Sequence, residues 1–111
     1  MSEALHEPVP ALIWCPFPDP ESAVLATDCL LDERLIACAN MVDNVASAFV
    51  WNGERSRTRE TGALLKTNAA LLERAIARLA ELHPYDEPAI VGWRCDAATA
   101  GAAAWLGSLD G

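Results

Sequence analysis

The dipeptide Asn52-Gly53 constrains the fold of this chain more than any other feature. It separates two strand-like arms, and the first arm runs from Ile36 to Trp51 with a polar kink at Asp43-Asn44. A type I′ turn needs positive φ at both central residues, which Asn followed by Gly accepts with little strain. The sequence therefore predicts a β-hairpin whose return arm extends from Glu54 to Thr67.

Two helices are predicted, one on each side of the hairpin. Asp19-Pro20-Glu21 supplies an N-cap, an N1 proline and a first-turn acid, so the first helix is expected from Pro20 to Arg34. The second is expected from a cap at Thr67 or Asn68 to His83, where the following proline ends it. The apolar stripe of the first helix consists of Val24, Thr27, Leu30, Leu31 and Leu35. The stripe of the second helix consists of Leu72, Ala75, Ile76, Leu79 and Leu82.

Two short apolar strands and one more helix complete the pattern. The strands are expected at Ala11 to Cys15 and at Ala89 to about Cys95. An alanine-rich helix should follow from Ala97 to Leu109. Because such a helix is marginal alone, Trp105 and Leu106 are expected to anchor it.

The order β-α-β-β-α-β predicts an α+β, ferredoxin-like sandwich with a trailing helix. In this arrangement a four-stranded antiparallel sheet carries both main helices on one face. Residues 1–9 are expected to be a flexible tail and residues 10–111 a single domain. The hairpin arms are longer than the other strands, so their edges are expected to pair with another subunit.

Composition narrows the possible partners. Hydrophobic residues make up 52% of 111 residues, which favours an oligomer. A net charge of -8 argues against nucleic acid and anionic membranes as partners. No apolar run approaches the ~20 residues of a membrane span and no signal peptide is recognisable, so a cytoplasmic location is expected. The four cysteines are widely spaced and predict neither a disulfide framework nor a zinc knuckle.

The return arm of the hairpin carries an unusual charge pattern. Arg55, Arg57 and Arg59 alternate along it and form a basic stripe on an acidic protein. Protection of a strand edge is favoured over an anion site, because charged side chains serve that purpose widely. Gly62 further along the arm is expected to mark a β-bulge.

The segment His83 to Pro88 is the leading candidate for a functional site. Pro84 and Pro88 stiffen a connection that carries an imidazole, a phenol and two carboxylates. Polar residues on rigid loops are enriched in binding sites. A histidine at a helix C-terminus is also favoured by the macrodipole without any ligand, and that structural interpretation stays open.

Several short segments along the chain together form a specific pattern. They are Cys15-Pro16, Glu33-Arg34-Leu35, Ala37-Cys38-Ala39-Asn40, Trp51-Asn52-Gly53, Leu64-Leu65-Lys66-Thr67, Leu82-His83-Pro84-Tyr85, Pro88 and Trp105-Leu106. With these segments the chain resembles the CutA divalent-cation tolerance family over roughly residues 11 to 109. The resemblance implies a ferredoxin-like subunit in a tight trimer, organised like PII-type signalling trimers, and a link to tolerance of copper and other divalent metals.

A metal site is the first functional hypothesis that the resemblance implies. The family's proposed ligands match Cys15 and His83, and a thiolate with an imidazole suits copper or zinc. Family members usually carry an acid where this chain has Ala89, and Glu87 is the neighbouring carboxylate that could replace it. Two protein ligands alone leave such a site open and weak.

A binding or scaffold module is the alternative hypothesis. Clefts between subunits, lined by Lys66, Thr67, His83 and Tyr85, would hold a small anion or a partner protein. Lys66 separates the two hypotheses, because a cation repels a metal and attracts a carboxylate or phosphate. A thiol enzyme built on Cys15 and His83 would need oxyanion donors that no motif supplies, so no catalysis is expected.

Overall fold

A computed structural model describes residues 8–110 of the chain. Its four strands form one antiparallel sheet in the order β2-β3-β1-β4, which confirms the predicted ferredoxin-like fold. The elements are β1 (Pro10–Phe17), α1 (Pro20–Asp32), β2 (Cys38–Trp51), β3 (Glu54–Asn68), α2 (Leu72–Leu82), β4 (Val91–Arg94) and α3 (Ala100–Gly107). Most of the predicted tail, residues 1–7, lies outside the described residues.

The core lies between the sheet and the two longer helices. Alternate residues of β1 are fully buried, as the two-residue period of a strand requires when one face meets helices. They share one cluster with residues of both helices and of β3. Its members are Ile13, Cys15, Phe17, Ala23, Ala26, Leu30, Leu35, Ile36, Ala63, Leu65, Leu71, Ala75 and Leu79.

β1 runs past Pro16, where the sequence predicted its end. β4 pairs only with the stretch from Ala11 to Trp14. Pro16 is therefore paired with β3 alone, and a proline is tolerated where one side of a strand has no ladder. This extension brings Phe17 into the core and leaves the carbonyl of Pro16 open for another partner.

The predicted hairpin is confirmed at its turn and along both arms. Asn52 and Gly53 have φ of 53° and 80°, the positive values that a type I′ turn needs. β2 continues through the predicted kink, with a shift in register between Val42 and Val45. A bulge therefore lies beside Gly62 as predicted, but the extra residue is on β2, where Asp43 and Asn44 oppose Thr61 alone.

The helices confirm the predicted order but not every boundary. α1 ends at Asp32, two residues before the predicted end, and Asp19 caps it by accepting a hydrogen bond from the Ser22 amide. Val24 and Leu31 are exposed, so the buried face of α1 is rotated from the predicted stripe towards Ala23 and Ala26. α2 itself begins after Leu71, later than predicted, but the predicted cap Asn68 is used: its Oδ1 accepts a hydrogen bond from the Leu71 amide at 3.2 Å, at the turn that leads into the helix.

The last two elements are shorter than predicted. β4 covers Val91–Arg94 and omits Ala89, while α3 covers Ala100–Gly107. Leu106 is buried, but Trp105 is 50% exposed and does not anchor the helix as predicted. The Asn68 side-chain amide instead donates to the carbonyl of Leu106 at 2.8 Å, which ties α3 to the end of β3.

Candidate functional site

His83 is held in place by both of its ring nitrogens. Its Nε2 lies 2.7 Å from the open carbonyl oxygen of Pro16, and its Nδ1 lies 3.1 Å from the backbone nitrogen of Tyr85. A carbonyl only accepts and an amide N–H only donates, so these contacts select the tautomer protonated at Nε2. Neither nitrogen is left free for a metal in this arrangement.

Aromatic packing fixes the same imidazole from its flat side. The His83 ring stacks on Phe17 with centroids 4.5 Å apart, and the ring of Tyr85 lies 4.9 Å away at a tilt. His83 is only 7% exposed. The C-terminal end of α2 is thus joined to the end of β1 by stacking and by one hydrogen bond, which is a structural role.

Tyr85 connects the segment after α2 to β3 through a carboxylate. Its hydroxyl donates to Oε2 of Glu60 at 2.8 Å. Loss of solvent, followed by this hydrogen bond, raises the pKa of Tyr85 to about 12. The phenol therefore stays protonated at neutral pH and keeps its donor role.

Cys15 faces the core and stays a thiol. Its side chain is fully buried, and burial followed by the charge of Glu60 raises the pKa of the thiol to about 12. Metal binding needs the thiolate. The same surroundings that make Cys15 a good core residue therefore disfavour its use as a ligand.

The remaining predicted site residues lie apart from His83. Lys66 pairs with Leu12 on β1, whereas His83 contacts Pro16, four residues or roughly 13 Å further along that strand. The Thr67 hydroxyl is buried and donates to the carbonyl of Leu35 at 2.7 Å. One chain therefore does not gather Lys66, Thr67, His83 and Tyr85 into a single cleft.

Metal-ligand chemistry is equally dispersed. Glu87 is exposed on the segment before β4. Within residues 8–110 no three side chains of His, Cys, Asp or Glu come together as ligands, so Cys15, His83 and Glu87 do not form a three-ligand site in one chain. Every buried side-chain nitrogen or oxygen in the same range has a hydrogen-bond partner.

Two residues that contact His83 and Tyr85, namely Phe17 and Glu60, were not identified as site residues from the sequence. Phe17 lies beyond the predicted end of β1, and Glu60 follows directly after the basic stripe of the return arm, whose side chains are expected in solvent. The rest of that part of β3, Glu54 to Arg59, is exposed, whereas Glu60 is 9% exposed. The apolar run from Ala63 to Leu65, which begins three residues later, is the sequence signal that this part of β3 enters the core.

Comparisons with known proteins give one consistent result. The family described as CutA1 divalent ion tolerance protein matches residues 11–108. The divalent-cation tolerance protein CutA of Pyrococcus horikoshii is 46% identical over 80 residues, which are 72% of this chain and 78% of the relative.

Solved structures agree with the sequence comparison. The divalent ion tolerance protein CutA1 of Ehrlichia chaffeensis superposes with a TM-score of 0.84 at 32% identity, covering 89% of this chain and 92% of that one. The divalent cation tolerance protein of Thermus thermophilus superposes with a TM-score of 0.86 at 29% identity, covering 92% of this chain and 99% of that one. No helix among residues 8–110 is long and apolar enough to cross a membrane.

Proposed function

The chain belongs to the CutA1 divalent ion tolerance family, and from this premise we propose that it serves divalent-cation tolerance as a homotrimeric binding module. The proposal has two parts. The assembled trimer is the working unit, and its ligand is held between subunits instead of on a metal centre made by Cys15 and His83.

One observation carries the first part: the sheet face opposite the helices is apolar and accessible. Residues directly opposite each other in a sheet share a face. Trp14 faces Val91, and Leu12 faces Trp93. Val91 is 55% and Trp93 45% exposed. An apolar face of this kind indicates a surface that a partner covers, and other copies of the chain are the proposed partners.

The sheet edges support the same assembly. β2 lies at one edge and β4 at the other, and β2 is 14 residues long. A long unpaired edge tends to pair with another chain. Two different edges joined head to tail form a heterologous contact, and repeating it around a threefold axis closes a ring.

The contacts of His83 and Cys15 support the second part. A metal on His83 would have to displace either the Pro16 carbonyl or the Tyr85 amide. The thiol of Cys15 would have to ionise in a buried position next to the Glu60 carboxylate. Copper or zinc at this pair is the second candidate, favoured by ligand type alone.

Two further features of the proposal concern chemistry and location. We infer no catalysis, because Cys15 is a buried thiol whose raised pKa opposes use as a nucleophile.

We also infer a reducing compartment such as the cytoplasm. The four cysteines at positions 15, 29, 38 and 95 are free thiols, as is usual there.

A matched pair of charge insertions tests the assembly. Val91→Glu places a carboxylate on the apolar sheet face, and Leu25→Glu places one on α1, where Leu25 is 66% exposed. We expect Val91→Glu to dissociate the trimer and Leu25→Glu to leave it intact, as measured by light scattering. A parent protein that scatters as an 11.9 kDa monomer, or a Val91→Glu variant that stays trimeric, would contradict the proposal.

A further inference from the structure

Arg34 adopts a backbone conformation that side chains rarely accept. Its φ is 60° at the position just after the C-cap of α1. The Arg34 amide donates to the carbonyl of Leu31, and the Leu35 amide donates to that of Leu30 at 3.0 Å. These bonds form a Schellman motif, in which this position is usually glycine. Backbone strain held at such a point suggests that the side chain is kept for another purpose.

The Arg34 side chain lines a cavity of about 290 Å³ between α1 and α3. Its walls are polar and apolar in similar measure, because Arg34 and Ser108 line it together with the apolar side chains of Leu31, Ile36, Ala37, Trp105 and Leu109. The indole of Trp105 is 50% exposed. The volume lies just below the roughly 300–1,000 Å³ of typical small-molecule sites, so only a small ligand fits.

The Arg34 guanidinium beside this cavity already pairs with a carboxylate of the same chain. Oδ1 of Asp110 lies 2.8 Å from Nη2 and 3.2 Å from Nε of Arg34. Both side chains are largely exposed, at 61% and 80%. Exposed ion pairs of this kind are weak, so another carboxylate could replace Asp110 at little cost.

We propose that the cleft formed by Arg34 and Trp105 binds a small carboxylate with a flat apolar body, and that Asp110 is a built-in competitor for it. The guanidinium would take the carboxylate in its planar fork. The indole would pack against the ring of the ligand. This site is separate from His83 and is independent of the proposed role of the trimer.

The test uses phenylacetate as the probe and neutral phenylacetamide as its matched control. Binding to the full-length protein is followed by NMR through the indole N–H of Trp105, assigned with Trp105→Phe. Phenylacetate should shift this resonance, and phenylacetamide should shift it much less. The indoles of Trp14, Trp51 and Trp93 serve as internal references and should not respond.

Three substitutions distinguish the role of Asp110 from that of Arg34. Asp110→Asn should tighten phenylacetate binding roughly two- to fivefold, which corresponds to removal of one exposed ion pair. Arg34→Gln should abolish binding. Arg34→Gly should also abolish binding while raising the melting temperature, because glycine accepts the left-handed conformation without strain.

Three results would overturn the proposal. The first is an unchanged affinity in Asp110→Asn, and the second is binding that persists in Arg34→Gln. The third is the absence of any shift at Trp105 with phenylacetate in the parent protein. A lower melting temperature in Arg34→Gly would show instead that Arg34 is kept for its pair with Asp110.

Discussion

The indole ring of Trp14 occupies the space in which a side chain at Gly62 would lie. A Cβ atom built on Gly62 would come within 2.8 Å of Cζ2 and 3.1 Å of Cζ3 of that ring. Gly62 lies within β3, directly opposite Val42 and Pro16. Glycine is therefore required here by the aromatic that covers the strand.

Gly62→Ala should lower the free energy of unfolding by about 1–3 kcal/mol, because the Trp14 ring must move to admit a methyl group. Urea denaturation measures the change. Gly101→Ala is the matched control, since nothing lies within 4 Å of a Cβ there. That control should be neutral or slightly stabilising in a helix. If the penalty of Gly62→Ala were undiminished in a Trp14→Leu background, Trp14 would not be its cause.

Gly53→Val should damage both stability and assembly. A β-branched residue would have to adopt the φ of 80° that Gly53 has, at a cost of about 1–3 kcal/mol. Thermal denaturation and light scattering report on the two effects. Asn52→Gly is the control, because glycine accepts the φ of 53° at that position without strain. A Gly53→Val protein that was as trimeric and as heat-resistant as the parent would contradict this role of the turn.

Local chemistry explains why most of the fold could be predicted. The Asn52-Gly53 turn, the Asp19 cap and the proline after His83 each act through neighbouring residues, so their effects are visible in a short stretch of sequence. The errors arise where distant contacts decide. Pro16 stays in β1 only because β4 stops short of it. The helix α3 is anchored by a hydrogen bond from Asn68, which lies at the end of β3 and far away in sequence.

The candidate site shows the same limit. His83, Tyr85 and Cys15 could be chosen from their residue types and from the resemblance. Their roles depend on partners that are remote in sequence, namely the Pro16 carbonyl and Glu60. Burial of Cys15 likewise follows from packing between strand and helices, and only that packing reveals why the thiol stays protonated.

Burial of the Cys15 thiol predicts a specific loss of stability in alkali. Its pKa rises from 9.0 to about 12 on folding, so the unfolded chain ionises first as the pH increases. The contribution of Cys15 is fully present below pH 9 and is lost between about pH 9 and 12, at about 1.4 kcal/mol per pH unit at most. Urea denaturation at several pH values should show a shallower fall for Cys15→Ala than for the parent. Equal slopes would mean that Cys15 does not resist ionisation.

A zinc titration of the reduced trimer, followed by calorimetry and native mass spectrometry, tests most directly whether Cys15 and His83 form a metal centre. The parent is compared with Cys15→Ala and His83→Gln, both checked for folding by circular dichroism. Because the His83 nitrogens are engaged and the Cys15 thiol is buried, we predict the same isotherm for all three folded proteins. Stoichiometric binding of one zinc per chain in the parent, lost in Cys15→Ala, would contradict the account.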